Sequence, residues 1–182
     1  MSASPPEMTL EDRARRIRLV LFDVDGVLTD GVVVMHADGS ESKGFHIKDG
    51  AAIVWAQRAG LPVGLLSSRS SGATAHRAAQ LAVRIVQQGV TSKARAFDLI
   101  LKDANVTEDA VSYMGDDLLD LPVLTRCGLS AAPADAVEEV RAAVDWVSTV
   151  PGGRGAVREF IEVVLRAQGR WTTVVAEQGG RH

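Results

Sequence analysis

At 182 residues, with 46% hydrophobic and 24% charged residues, the chain can bury one sizeable core and has the composition of an ordinary globular domain. A net charge of -3 with scattered basic residues gives no nucleic-acid footprint, and one cysteine, Cys127, excludes an internal disulfide and reads as a small buried filler. No apolar run approaches the ~20 residues of a membrane span, and residues 1–18 hold no apolar signal segment, so a cytoplasmic protein with no membrane or nucleic-acid partner is expected.

Arg13, Arg15, Arg16 and Arg18 read as a solvated approach at the end of an N-terminal extension, 1–16. Leu19 to Phe22 is an apolar strand that ends in Asp23-Val24-Asp25-Gly26. Side chains two apart on an extended chain point the same way, so Asp23 and Asp25 form a carboxylate pair at the strand's carboxyl end. Such a pair serves as cation ligand, nucleophile or proton carrier, or is only a solvated turn. Val32 to His36 and Lys43 to Ile47 flank an Asp38-Gly39 turn and predict a β-hairpin over about 32–47, placed to roof the site or to pair with another subunit.

Further strands are expected at Pro62 to Leu66, Val83 to Val86, Val111 to Met114, Gly128 to Ala131 and Asp145 to Val147. Helical spacing covers Gly50 to Ala59, Gly72 to Leu81, Ser92 to Asp103, Leu118 to Thr125, Ala136 to Ala143 and Arg154 to Ala167. The alternation predicts an α/β fold: a doubly wound, Rossmann-like parallel sheet with helices on both faces and a hairpin insertion, as one domain over 17–168. The polar, Gly-rich tail, 169–182, is expected to be disordered or ordered only by a partner.

Three more clusters fall at strand ends, where open α/β sheets bind ligands. Ser67 ends the second core strand with a hydroxyl that suits a phosphoryl oxygen or a helix cap. Lys93 opens a helix, where the macrodipole disfavours a cation unless an anion is bound nearby, although a lone lysine is usually surface. Gly115-Asp116-Asp117-Leu118-Leu119-Asp120 repeats the opening logic of a buried strand, a close-approach glycine and acids.

Taken in order, Asp23-Val24-Asp25-Gly26, Ser67, Lys93 and Gly115-Asp116-Asp117 resemble the four motifs of the haloacid dehalogenase superfamily. Phe45-His46-Ile47-Lys48-Asp49-Gly50, Leu118-Leu119-Asp120-Leu121-Pro122 and Pro151-Gly152-Gly153-Arg154-Gly155 narrow the resemblance to the 3-deoxy-D-manno-octulosonate 8-phosphate phosphatase family, over 17–168. That resemblance implies a capless, Mg²⁺-dependent phosphatase of lipopolysaccharide sugar biosynthesis, assembled as a homotetramer through its hairpins. It implies Asp23 as nucleophile, Asp25 as general acid and base, and Ser67 and Lys93 as phosphoryl contacts. It further implies Mg²⁺ on Asp23, Asp116 and the Asp25 carbonyl, with Asp117 and Asp120 orienting the metal's waters or Lys93.

Lys48, Arg69 and Arg154 are the candidate anchors for the carboxylate of an acid sugar phosphate, each with a surface role as the alternative. The chain departs from the family at Ser67-Ser68-Arg69, where the family usually reads Thr-Gly-Arg; Ser68 disfavours a positive φ and crowds the pocket. Three other readings stay open: a phosphatase of another acid sugar phosphate such as a nonulosonate 9-phosphate, a non-catalytic scaffold related to domains fused to sugar-nucleotide synthetases, and a phosphate-accepting receiver. The proton-carrying Asp25 and the hairpin disfavour the receiver.

Overall fold

The computed structural model describes residues 8–179. Thr9 starts α1 (Leu10–Arg16) with a reciprocal capping box to Asp12, two bonds that let a seven-residue helix hold its end. Arg13 and Arg15 of this helix donate to Gly128 and Ala167 carbonyls, so the basic run is partly docked instead of wholly solvated.

The central strand β1 (Leu19–Phe22) is buried on both faces. Its neighbours follow in chain order: a hairpin of β2 (Val34–Met35) and β3 (Glu41–Ser42), α2 (Ile47–Arg58), β4 (Val63–Leu66), α3 (Gly72–Gln80), β5 (Ile85–Gln87) and α4 (Lys93–Ala104). The second half carries β6 (Val111–Met114), α5 (Leu121–Leu124) after a 3₁₀ turn, β7 (Leu129–Ala132), α6 (Glu138–Ala143), β8 (Trp146–Val147), α7 (Ala156–Ala167) and α8 (Trp171–Gln178). Six strands form a parallel sheet in the order β5-β4-β1-β6-β7-β8. The chain winds from β1 to one edge and then returns to build the other, which makes the β1/β6 seam the switch point.

Strand alternation divides the core. Val20, Phe22 and Met114 join the side covered by α1, α2, α7 and α8, whereas Leu19, Leu21 and Tyr113 join the side covered by α4, α5 and α6. Phe22 meets Phe160 of α7 edge to face at 6.4 Å, fixing that helix under β1.

Two expectations change. The hairpin turn falls at Asp38-Gly39, with Gly39 at φ +84°, but the strands are two residues long and the second is Glu41–Ser42, not Lys43 to Ile47. Residues after Ser42 leave the ribbon to bring Phe45 onto the core, and Ile47 already begins α2. The described part of the tail, to residue 179, also departs from a disordered or partner-ordered segment, since α8 buries Trp171 and Val174 while Arg158 and Arg166 lie over the Trp171 ring at 5.1 and 5.2 Å; residues 180–182 lie outside the described residues.

Candidate active site

Parallel register brings the motif residues to one edge. Phe22 pairs with Met114, so Asp23 and Gly115 leave the sheet side by side, and the Asp23 N–H donates to the Met114 carbonyl at 3.0 Å. Ser67 follows the adjacent β4, and Lys93 is the first residue of α4, whose Ser92 cap accepts from Arg95 N. Together with Asp25, Ser68, Arg69, Asp116, Asp117, Leu119 and Asp120 they line a pocket of about 170 Å³. A larger groove of about 690 Å³ lies at the opposite ends of β4 and β5 and carries none of these motifs.

Asp120 is fully buried, and both its oxygens are committed. One accepts from Lys93 Nζ and Tyr113 OH; the other accepts from the backbone N–H groups of Asp116 and Asp117 at 3.0 and 3.1 Å. Gly115 makes this possible, because a Cβ there would stand 2.4 Å from the Asp120 side chain. Asp120 therefore aims Lys93, whose ammonium reaches Asp23 Oδ2 at 3.0 Å. Burial disfavours the Lys93 charge, but Asp23 and Asp120 outweigh it and raise its pKa above the ordinary lysine value. Asp117 caps the following turn through Leu118 N at 2.7 Å.

Asp25 sits on a loop closed by Thr29, whose hydroxyl accepts from Gly26 N and Gly31 N. Gly26 has φ +88°, and a Cβ on it would lie 2.0 Å from Asp116 Oδ2, so this glycine is required twice over. Behind the loop lies the turn from Pro151 to Gly155. A Cβ on Gly152 would stand 1.7 Å from the Gly26 carbonyl oxygen, and Gly153 N donates to Val27 O at 2.9 Å. This turn buttresses the Asp25 loop of its own chain. Arg154 pairs with Asp30 at 3.3 Å, outside the pocket.

Asp49, in the motif that begins at Phe45, serves the same assembly. Its buried carboxylate accepts from Gly155 N and Arg158 N at 3.2 and 2.8 Å and so caps α7, whose own N-cap glycine has no side chain to offer. The neighbouring Lys48 is exposed on α2 and does not line the pocket. Ser68 adopts no positive φ, since Ala82 and Asn105 are the described non-glycine residues that do, and the strain expected from replacing glycine is absent.

Sequence reasoning missed Lys43. Its side chain is 0% exposed and its ammonium lies 2.6 and 2.9 Å from the two Asp25 oxygens. Arg69 approaches the same carboxylate at 3.6 Å and pairs with Glu41 of β3 at 3.1 Å, so the hairpin is tied over the pocket by four charges. A lysine inside an apparent ribbon strand gives no sequence signal of this.

Residues 64–161 match the haloacid dehalogenase-like hydrolase family. The 3-deoxy-D-manno-octulosonate 8-phosphate phosphatase of Haemophilus influenzae is 39% identical over 93% of this chain and 94% of its own. The chain belongs to that phosphatase family. A Moraxella catarrhalis family structure in complex with magnesium ion, phosphate ion and a KDO molecule has a TM-score of 0.90 at 32% identity, covering 92% of this chain and 97% of that one. A probable yrbi family phosphatase from Pseudomonas syringae pv. phaseolica reaches a TM-score of 0.92 at 38% identity, over 95% and 98% of the two chains.

Within this family's motif set, carboxylate oxygens of Asp23, Asp116 and Asp120 lie within 4.8 Å of one another. Asp120 has no lone pair to spare beyond its four donors, which leaves Asp23 and Asp116 as the pair facing a cation. Asp116 Oδ1 is buried with no hydrogen-bond partner. Burial pushes Asp23 up to about 7 against the pull of Lys93, and pushes Asp116 up to about 8 with the Asp23 and Asp120 charges adding to it. Two crowded carboxylates with an orphaned oxygen fit a hard divalent ion.

Proposed function

We propose that the chain is a Mg²⁺-dependent phosphomonoesterase acting through an aspartyl-phosphate on 3-deoxy-D-manno-octulosonate 8-phosphate. The observation that carries this reading is the placement of Asp23, Asp25, Lys93 and Asp116 in one pocket of about 170 Å³ at the switch point, in a chain of this family. That volume is below the range of drug-sized ligand pockets and suits a phosphoryl group, leaving the sugar to extend toward the hairpin.

Asp23 attacks phosphorus; the ester P–O bond breaks, and its electron pair leaves with the sugar oxygen, which takes a proton from Asp25. Water then gives a proton to Asp25 while adding to phosphorus, the P–O bond to Asp23 breaks, and inorganic phosphate departs. Lys93, held by Asp120, and Ser67 contact the equatorial oxygens as charge spreads over them. Mg²⁺ would be held by Asp23, Asp116 and the Asp25 carbonyl, and would supply charge neutralisation for the transferring group. Asp120 orients Lys93, and Asp117 the surrounding waters. Arg69 is this chain's own anchor for the sugar-acid carboxylate; Lys48 and Arg154 would serve only across a subunit boundary.

A phosphate-release screen over acid sugar phosphates with Mg²⁺ tests the reading. The octulosonate 8-phosphate should be turned over fastest, and a chelator should abolish release. A nonulosonate 9-phosphate preferred tenfold or more would reassign the substrate within the same chemistry, and no release from any ester would favour a scaffold.

Assembly as a cytoplasmic homotetramer belongs to the same reading. Val32, Val34, Met35 and Ile47 are exposed around the hairpin, whereas Phe45 is partly buried against the core and has less surface to offer an interface. Sedimentation at micromolar concentration should give four chains per particle, reduced to smaller species by Val34→Asp; a monomeric wild type would contradict it.

A further inference from the structure

We propose that Lys43 positions the Asp25 carboxylate for the leaving oxygen, so that the hairpin, and not the sheet, sets the acid step; this rests on the function proposed above. Asp23 and Asp25 have separate holders. Asp23 is gripped from the sheet side by Lys93, itself fixed by Asp120 and Tyr113. Asp25 points to the hairpin side, where Lys43 Nζ contacts both its oxygens at 2.6 and 2.9 Å.

Among the described residues, no backbone N–H bonds the Asp25 carboxylate, and its other side-chain neighbour is Arg69 at 3.6 Å. Lys43 is also 3.8 Å from Glu41, which in turn holds Arg69 at 3.1 Å. The rotation of the Asp25 carboxyl group is thus set by one buried ammonium and one guanidinium, both restrained by Glu41.

Stability does not call for a lysine here. Its stem is 0% exposed, and an apolar residue of similar length would cover the same surface without desolvating a charge. A buried ammonium whose contacts are the proposed acid and base and Glu41 is explained by what it does to that carboxylate. Lys43 acts through Asp25, and in the first half-reaction, transfer of the phosphoryl group to Asp23, its removal should matter only where the departing oxygen needs a proton.

An aryl phosphate separates these cases, because a nitrophenolate leaves without protonation and a sugar alkoxide does not. In single-turnover experiments, which read transfer to Asp23 and not its later hydrolysis, Lys43→Met should lower the rate for an alkyl or sugar phosphate on the order of 10²-fold, the lower end of a general-acid contribution, with half-saturation little changed, and should slow the nitrophenolate burst from p-nitrophenyl phosphate only a few-fold. Lys43→Arg, which restores a charged donor, should recover most of the alkyl-phosphate rate. Equal losses on both esters, or no loss on either, would overturn the proposal, as would a Lys43→Arg no better than Lys43→Met. Should Lys43→Met misfold, Lys43→Arg and Lys43→Gln give the same comparison. Asp23→Asn run in parallel keeps the two readings apart: its loss on both esters tests covalent phosphoryl transfer, whatever Lys43 does.

Discussion

Asp23→Asn should lower turnover of both alkyl and aryl phosphates on the order of 10³-fold or more while the protein stays folded. The substitution keeps the volume and removes the charge proposed to attack phosphorus. Asp23 is buried against Lys93, and losing its charge removes one partner of that pair. Lys93 keeps Asp120 and Tyr113 as partners, so the cost to the fold is contained. Steady-state kinetics and a melting curve on the same preparation separate the two effects. Retention of most activity would contradict the covalent route.

Magnesium should raise the melting temperature by roughly 5–10 °C at a hundredfold excess over its Kd, from about 2.7 kcal/mol of linkage in a chain of this size. At one fixed Mg²⁺ concentration the increase should be larger at pH 8.5 than at pH 6. Asp23 at about 7 and Asp116 at about 8 both lie above the usual aspartate value, so between pH 4 and 8 the metal-free fold binds more protons than the unfolded chain. Stability from these two groups is present below the unfolded pKa and is lost as pH rises through 7 to 8. A divalent cation favours both charged forms and cancels that loss, hence its greater effect at alkaline pH. Thermal unfolding across pH with and without Mg²⁺ measures it, and a shift equal at both pH values would detach the cation from Asp23 and Asp116.

The sheet was legible because buried parallel strands are unbroken apolar runs. Leu19–Phe22 and Val111–Met114 are strands over the expected residues, and each delivers its acids to the same edge. Short or long-range features were not legible. The hairpin pairs only Val34 with Ser42 and Met35 with Glu41, too little for a period-two pattern to register. Helix α8 depends on burying Trp171 and stacking Arg158 and Arg166 over its ring, contacts that a polar tail composition does not reveal. Asp49 was legible only as part of the Phe45 to Gly50 family motif, yet it caps a helix more than a hundred residues away in sequence. Gly152 was legible only as part of a family motif, yet its missing side chain makes room for the Gly26 carbonyl. Lys43 was indistinguishable from a solvated lysine until the chain folded it onto Asp25.

The central claim is that phosphorus is carried on Asp23. Asp25→Asn protein, which should accept a phosphoryl group but hydrolyse it slowly, can be mixed with Mg²⁺ and p-nitrophenyl phosphate, quenched in acid and digested for mass spectrometry. One phosphoryl mass on the peptide containing Asp23, absent when Asp23 is also replaced by Asn, is the expected result. Turnover of the ester by Asp25→Asn protein with no phosphoryl adduct at any quench time, or an adduct on a peptide lacking Asp23, would contradict the account.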